Sequence, residues 1–306
     1  MRRFFSLILV MLAATLLTVL LVFEGARKDF LNPDFYLTRF QKFDFYSAAL
    51  EQSKGMLLSQ IPLGVGFPLS QKQAGDLIGK IFTTQYLQEE TTVFFQDFFF
   101  WFKSDDLASN LQLMISLKTP KANVLKEAKS IFGNKSSLSN VLMAQVPDQI
   151  DLTALDDKSV QEVKEATWQA RYYYNILLTL EKLLWGGLAL FLIFIILLLI
   201  DSFRVIARYL GGVALLAGIE MSFLVFVLPA AVAKFLLFSS APEGLSQEFY
   251  NVLTAMGLDM IKDAFDKLKI IGWIFLGIGA FLILASYLIG VFKDKRKRLE
   301  ENIVKS

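Results

Sequence analysis

The 306-residue chain contains no cysteine and no histidine. Without thiols there is no disulfide framework, no thiolate nucleophile and no zinc site of the usual Cys/His kind. Without imidazole there is no Ser-His-Asp triad and no histidine general base. The missing cysteines fit an oxidising compartment or a bacterial envelope that does not use disulfides. An excess of either charge is lacking too: the net charge is +2, and no basic patch interleaved with aromatics runs through the body of the chain, so a nucleic-acid partner is not expected. GxSxG, P-loop, GxGxxG and HExxH patterns are all lacking, and Gly64-Val65-Gly66 is too short to carry meaning. Neither a catalytic constellation nor a metal or cofactor site is therefore expected.

What is abundant is hydrocarbon. Hydrophobic residues make up 55% of the chain, against about 45–50% in soluble globular proteins. A spanning helix needs about 20 mostly apolar residues, and four stretches qualify: 1–23 (its apolar core Phe4 to Phe23), 177–200 (Leu183 to Ile200), 210–237 and 270–292. The apolar run at the N-terminus exceeds the roughly 7–15 residues of a signal peptide, and Glu24 stands where a cleavage site wants a small residue, so an uncleaved anchor is expected. Basic residues sit at Arg2 and Arg3, at Arg204 and Arg208 in the 201–209 loop, and in the 293–306 tail. With four spans all three groups fall on one side, which predicts cytoplasmic termini in a cell membrane, with 24–176 and 238–269 outside. The cluster Lys293, Lys295, Arg296, Lys297 and Arg298 reads as a topology signal that lies against anionic lipid.

Residues 24–176 suffice for one domain with its own core. The stretch LNPDFYLTRFQKFDFYSAALEQ reads as one helix, with Asn32 as N-cap, Pro33 in the first helical position and Asp34 at the positive end of the dipole. A breaker-rich loop, IPLGVGFPLS, follows. Ser70 and Gln73 then form a capping box that opens another helix. Leu111 to Leu117 alternates well enough to be the one strand, and KTPKANVLKEAKSIFG returns to helix, with Gly133 near its end. The loop GNKSSLSN carries an Asn134-Lys135-Ser136 sequon, relevant only to a eukaryotic secretory pathway. Residues 157–182 form a long helix entering the second span, with RYYY (171–174) as an aromatic and basic interface belt.

The densest feature is VFFQDFFFWF (93–102), where seven of ten side chains are aromatic. Phe94, Phe98 and Trp101 follow i, i+4, i+7 spacing, and Phe95, Phe99 and Phe102 repeat it one position along. Only Phe100 spoils the pattern. The face suits either an ordinary core helix or a surface that receives the bilayer or an apolar partner. Seven aromatics bury on the order of 1,000 Å² when enclosed, so water is not their expected neighbour.

These motifs stand in a particular order: NPDFY (32–36), PLSQKQ (68–73), QYLQEETTVFFQDFFFWF (85–102), LMISLKTPKANVL (113–125) and VPDQIDL (146–152). In that order the chain resembles an uncharacterised bacterial family of four-span membrane proteins with a helical extracytoplasmic domain after the first span. The resemblance covers most of residues 1–200 and implies topology and fold, with no activity. Cysteines found in several relatives after the ISL motif are lacking here, so it implies no disulfide.

Three polar features remain. Glu220 lies near the middle of the third span, where an acid costs about 2.5–3.5 kcal/mol on insertion scales. Eleven Leu, Ile, Phe or Val residues between Leu210 and Ala231, each worth roughly −0.3 to −0.6 kcal/mol, still let the span insert. Glu220 is thus either a proton- or cation-handling site or a hydrogen-bonding link between helices, to Ser222, Ser286 or Tyr287. The 238–269 loop carries an amphipathic helix with Phe249, Leu253, Met256 and Met260 on one face and Asp259, Asp263 and Asp266 near the other. The acidic group is expected to be a solvated face, since its spacing is not that of an EF-hand. Asp148, Asp151, Asp156 and Asp157 fall among turns and are expected to cap them.

The composite expectation is a mainly α protein: a four-transmembrane-helix bundle with a mostly helical extracytoplasmic domain inserted between spans 1 and 2. Its expected role is that of a non-catalytic cell-envelope membrane protein. The outer domain binds a protein or lipid partner through apolar surfaces that include Phe94, Phe95, Phe98, Phe99, Trp101 and Phe102. The partners to expect are the lipid bilayer, a membrane or envelope protein, or a second copy of the chain. The alternative is an ion or small-solute transport component using Glu220.

Overall fold

The computed structural model describes all residues except 1, 61–69, 105, 107–108, 133–143, 155–157, 200–201, 239–241, 243 and 306, and it does not describe the side chains of 2–3, 60, 131–132, 159, 233, 235–238 and 293–305. Four expectations therefore lie outside the described residues: the 61–69 breaker loop with Gly64–Gly66, Gly133 with the Asn134 sequon, Asp156 and Asp157, and the side chains of the basic tail. The described residues form nine α-helices and two short strands. Four of these helices are long and apolar enough to cross a membrane, over Phe4–Phe30, Val160–Leu198, Phe203–Val232 and Gln247–Phe292. The chain divides into two compact units.

The first unit comprises Met1–Asp29, Asn175–Phe238 and Asp259–Ser306. Into it run α1 (Arg2–Phe30), α7 (Lys158–Leu198), α8 (Phe203–Phe238) and α9 (Gln247–Lys305). Ala13, Ala14 and Ala217 let helix backbones approach, and Val10, Leu20, Leu188, Ile195 and Val213 fill the core between α1, α7 and α8. Glycine does the same between α8 and α9. A Cβ on Gly218 would lie 2.8 Å from the Gly272 carbonyl, and one on Gly279 would lie 2.5 Å from the Leu215 nitrogen. With no hydrophobic drive between helices in lipid, such close backbone packing is a main source of association. Ion pairs tie the C-terminal end of α1 to its neighbours: Arg27 to Glu181 at 2.8 Å, and Asp29 to Lys267 at 2.7 Å.

The second unit comprises Phe30–Tyr174 and Ser239–Leu258. It contains α2 (Pro33–Lys42), α3 (Phe45–Gln60), α4 (Gln71–Ile81), α5 (Thr84–Lys103), β1 (Met114–Ser116), α6 (Lys118–Phe132) and β2 (Gln149–Asp151). A 3-10 turn, Leu152–Ala154, follows β2. Asn32 caps α2 by accepting from the Asp34 N–H, and Ser70 and Gln73 make the full capping box on α4.

β1 and β2 pair antiparallel, with Ile115 opposite Ile150. The Leu117 N–H to Asp148 carbonyl and Leu152 N–H to Leu113 carbonyl bonds turn odd-numbered residues of β1 toward β2. Ser116 therefore presents its backbone to the other edge, where α5 satisfies it. The Tyr86 hydroxyl donates to the Ser116 carbonyl at 2.8 Å, and the Ser116 N–H donates to the Glu90 carboxylate at 2.8 Å.

The elements differ from expectation in several places. The first helix of the second unit is two, because Asp44 takes a φ of 52° and turns the chain between α2 and α3. Aspartate tolerates this conformation better than most residues, and its carboxylate accepts from the Ser47 hydroxyl at 2.7 Å. There are two strands rather than one: 149–151, which reads as turn and cap sequence, is half of the ribbon. The 201–209 loop is mostly the first two turns of α8. Nor is the amphipathic helix separate from the fourth span; both belong to the single 59-residue α9. Finally, Arg171 of the RYYY stretch is no interface cation. It is 1% exposed, its guanidinium donating to the carbonyls of Ser104, Asp106 and Ser109 and lying 4.3 Å over the Trp101 ring.

Candidate functional site

The aromatic stretch on α5 is turned into the second unit. Phe99 is 5% exposed and Trp101 8%, while Phe94, Phe95, Phe98 and Phe102 are half-buried. One half of the face packs on α2 and the other on the ribbon. Phe95 and Phe99 meet Tyr36 with ring centroids 5.4 and 5.5 Å apart, and Phe95 meets Phe40 edge-on at 5.3 Å. Phe94, Phe98 and Phe102 pack with Trp101 against Leu111, Leu113 and Leu152. Burial thus carries the core-helix reading for these six residues. The exception in the pattern, Phe100, is the one left outside, at 81% exposure.

Apolar surface open to a ligand lies elsewhere in this unit. A cavity of about 330 Å³ is walled by Leu50, Ser53 and Leu57 of α3, Ile78 of α4 with Phe82 after it, and Tyr86 and Leu87 of α5; Ile115, Leu117, Ile150 and Leu152 from the ribbon complete it. Its size falls at the small end of ligand pockets, about 300–1,000 Å³. No charged side chain lines it. Both hydroxyls on the wall are already engaged: Ser53 donates to the Ala49 carbonyl and Tyr86 to Ser116. Burial and the nearby Glu90 charge push the Tyr86 phenol up to about 12, so it is a neutral wall at neutral pH. Ser53 and Leu57 are exposed and form the mouth. A wall of this chemistry rewards hydrocarbon and gives a charged or strongly polar ligand nothing to bind.

Sequence reasoning missed this cavity. Its lining comes from five elements brought together by tertiary packing, and each element taken alone looks like ordinary core. The alternation of Ile115 and Leu117 was the one local signal.

Glu220 accepts a hydrogen bond from the Thr15 hydroxyl at 3.0 Å, linking α8 to α1. Two of its three expected partners are engaged otherwise, for Ser222 donates to the Gly218 carbonyl and Ser286 to the Ile283 carbonyl, while Tyr287 is exposed. The nearby Thr18 hydroxyl reaches the Ala217 carbonyl at 3.4 Å, adding a second polar link between the same two helices.

Asp148, Asp151 and Asp263 of the acidic clusters are engaged locally. Lys121 bonds Asp148 at 2.5 Å and holds its carboxyl below the usual range. The Thr153 hydroxyl and N–H do the same for Asp151, capping the 3-10 turn. Asp263 pairs with Lys267 one turn along α9. Among the described residues no group of three or more Asp and Glu side chains is placed to hold a metal ion.

No family model, curated protein or solved structure matches the chain.

Proposed function

We propose that this chain is a non-catalytic multi-pass protein of a bacterial cell membrane whose second unit binds the hydrocarbon chain of a lipid. In this reading both termini are cytoplasmic and the 24–176 segment lies outside, consistent with the one-sided placement of Arg2, Arg3, Arg204, Arg208 and the basic tail. The observation that carries the binding role is the 330 Å³ cavity with its uncharged wall and internally satisfied hydroxyls. In this reading the inward-turned aromatic face of α5 is core rather than contact surface.

The test uses the purified full-length protein and a fluorescent fatty-acyl probe. Ser53→Trp fills the mouth from an exposed position, so the fold is retained. Saturable, stoichiometric probe binding that is lost in Ser53→Trp supports the reading; equal binding by both proteins refutes it. For orientation, Asn134→Cys should react with an impermeant maleimide in intact cells and Ser306→Cys should not.

The transport alternative rests on Glu220. Its bond to Thr15 favours a link between helices, in which case Glu220→Gln, still able to accept from Thr15, leaves every ion or solute flux unchanged. A flux abolished by that substitution would revive transport.

A further inference from the structure

Arg204 differs from the other shielded cations of this molecule. Arg171 has three backbone carbonyls, Arg39 has the Phe35 carbonyl, Arg27 has Glu181 and Lys121 has Asp148. Arg204, in the first turn of α8, crosses to α9, and its guanidinium lies directly on Gly290. A Cβ at 290 would overlap its Cζ and both terminal nitrogens, so the seat exists because residue 290 is glycine. The Nε is fully shielded and has no hydrogen-bond partner. Among the described residues, no carboxylate, carbonyl or hydroxyl accepts from any of its nitrogens. Arg208 follows one turn further along α8 and is exposed.

A guanidinium set between two helices with no acceptor among the described residues is an incomplete recognition element. Its planar fork matches a phosphate with two parallel hydrogen bonds, which a point-charge ammonium does not offer. The place in the fold selects the source of that phosphate. Arg204 begins one of the membrane-crossing helices, at Phe203–Val232, and Gly290 lies two residues before the end of another, at Gln247–Phe292. Both positions fall where a span meets the headgroup layer, and basic pockets between spans at that level suit anionic headgroups. We propose that Arg204, seated on Gly290 and backed by Arg208, binds the phosphate of an anionic phospholipid. This site is separate from the apolar cavity and does not depend on it.

The experiment counts lipids retained by full-length protein in native mass spectrometry, after reconstitution with equal phosphatidylglycerol and phosphatidylcholine. Three proteins are compared with wild type: Arg204→Gln, Gly290→Ala and, as a control on an exposed lysine of α9, Lys262→Gln. Phosphatidylglycerol retention should fall about five-fold in Arg204→Gln, the factor expected for one basic residue at the surface. It should fall also in Gly290→Ala, which keeps every charge but displaces the fork, and it should hold in Lys262→Gln. Three outcomes overturn the proposal: equal phosphatidylglycerol retention in wild type and Arg204→Gln, wild-type retention in Gly290→Ala, which reduces the effect to net charge, and displacement of the lipid by inorganic phosphate alone, which makes the ligand a free anion.

Discussion

Two glycines of α9, two positions apart, should respond in opposite ways to the same methyl group. A Cβ on Gly279 would lie 2.5 Å from the Leu215 nitrogen and 2.8 Å from both the Gly211 carbonyl oxygen and the Leu215 Cα, whereas one on Gly277 would have nothing within 4 Å. Ordinary contact begins near 3.4 Å, so alanine at 279 forces α8 and α9 apart by about 0.6–0.9 Å, the differences of 3.4 from 2.8 and from 2.5. A gap of that size forfeits about a quarter to a half of each dispersion contact along the seam. Overpacking of this kind costs about 1–3 kcal/mol. The gain in helix propensity, about 1 kcal/mol, is common to both substitutions and cancels in the comparison. The difference between Gly277→Ala and Gly279→Ala therefore reads interhelical packing alone. In thermal unfolding of the purified protein in one lipid composition, Gly279→Ala should melt below Gly277→Ala by on the order of 3–9 °C. Equal melting temperatures would show that α8 and α9 do not meet through these glycines. Gly218→Ala, whose Cβ would lie 2.8 Å from the Gly272 carbonyl, should follow Gly279→Ala.

Alkaline titration tests the wall of the cavity. The Tyr86 phenol is raised from its ordinary 10 to about 12, so its contribution is complete below pH 10 and is lost as pH rises through 12, about 2–3 kcal/mol in all. Tyr86→Phe should abolish that part of the alkaline loss while costing about 1 kcal/mol at neutral pH for the bond to Ser116. An unchanged alkaline unfolding midpoint would count against it. Arg171→Met should destabilise the second unit by about 3 kcal/mol, since it removes charge-assisted hydrogen bonds to three carbonyls, two of them half-buried. Arg171→Lys should recover only part, lacking the planar fork. Denaturant unfolding followed by tryptophan fluorescence, with Trp101 beside the mutated residue, measures both; wild-type stability in Arg171→Met would refute the role.

Local rules made much of this fold readable. Length and apolarity marked the four helices able to cross a membrane, and short-range hydrogen bonding marked the caps at Asn32 and Ser70, because such signals act within one or two turns. What escaped reading was set by partners distant in sequence. Residues 149–151 are a strand only because Leu113 to Leu117 supplies the complementary edge. Arg171 looked like an interface cation until the carbonyls of Ser104, Asp106 and Ser109 gathered round it. Glu220 was recognisable as an acid needing a partner, but Thr15, 205 residues earlier, carries nothing in its own neighbourhood that names it. The aromatic run was recognisable as a face, and which way it turned depended on α2 and the ribbon together.

The bonds that α5 makes to Ser116 have a consequence for how other chains approach this protein. An open strand edge is a template on which an extended peptide lays itself down as one more strand, whether as a legitimate ligand or as the first step of aggregation. At Ser116 that template is already occupied, by a phenol and a carboxylate standing in for the missing neighbour. Any partner seeking to extend the ribbon from β1 must first displace Tyr86 and Glu90, and Tyr86 also walls the cavity. Backbone-to-backbone recruitment at that edge is closed off, so an extended peptide finds no vacant rung beside Ser116.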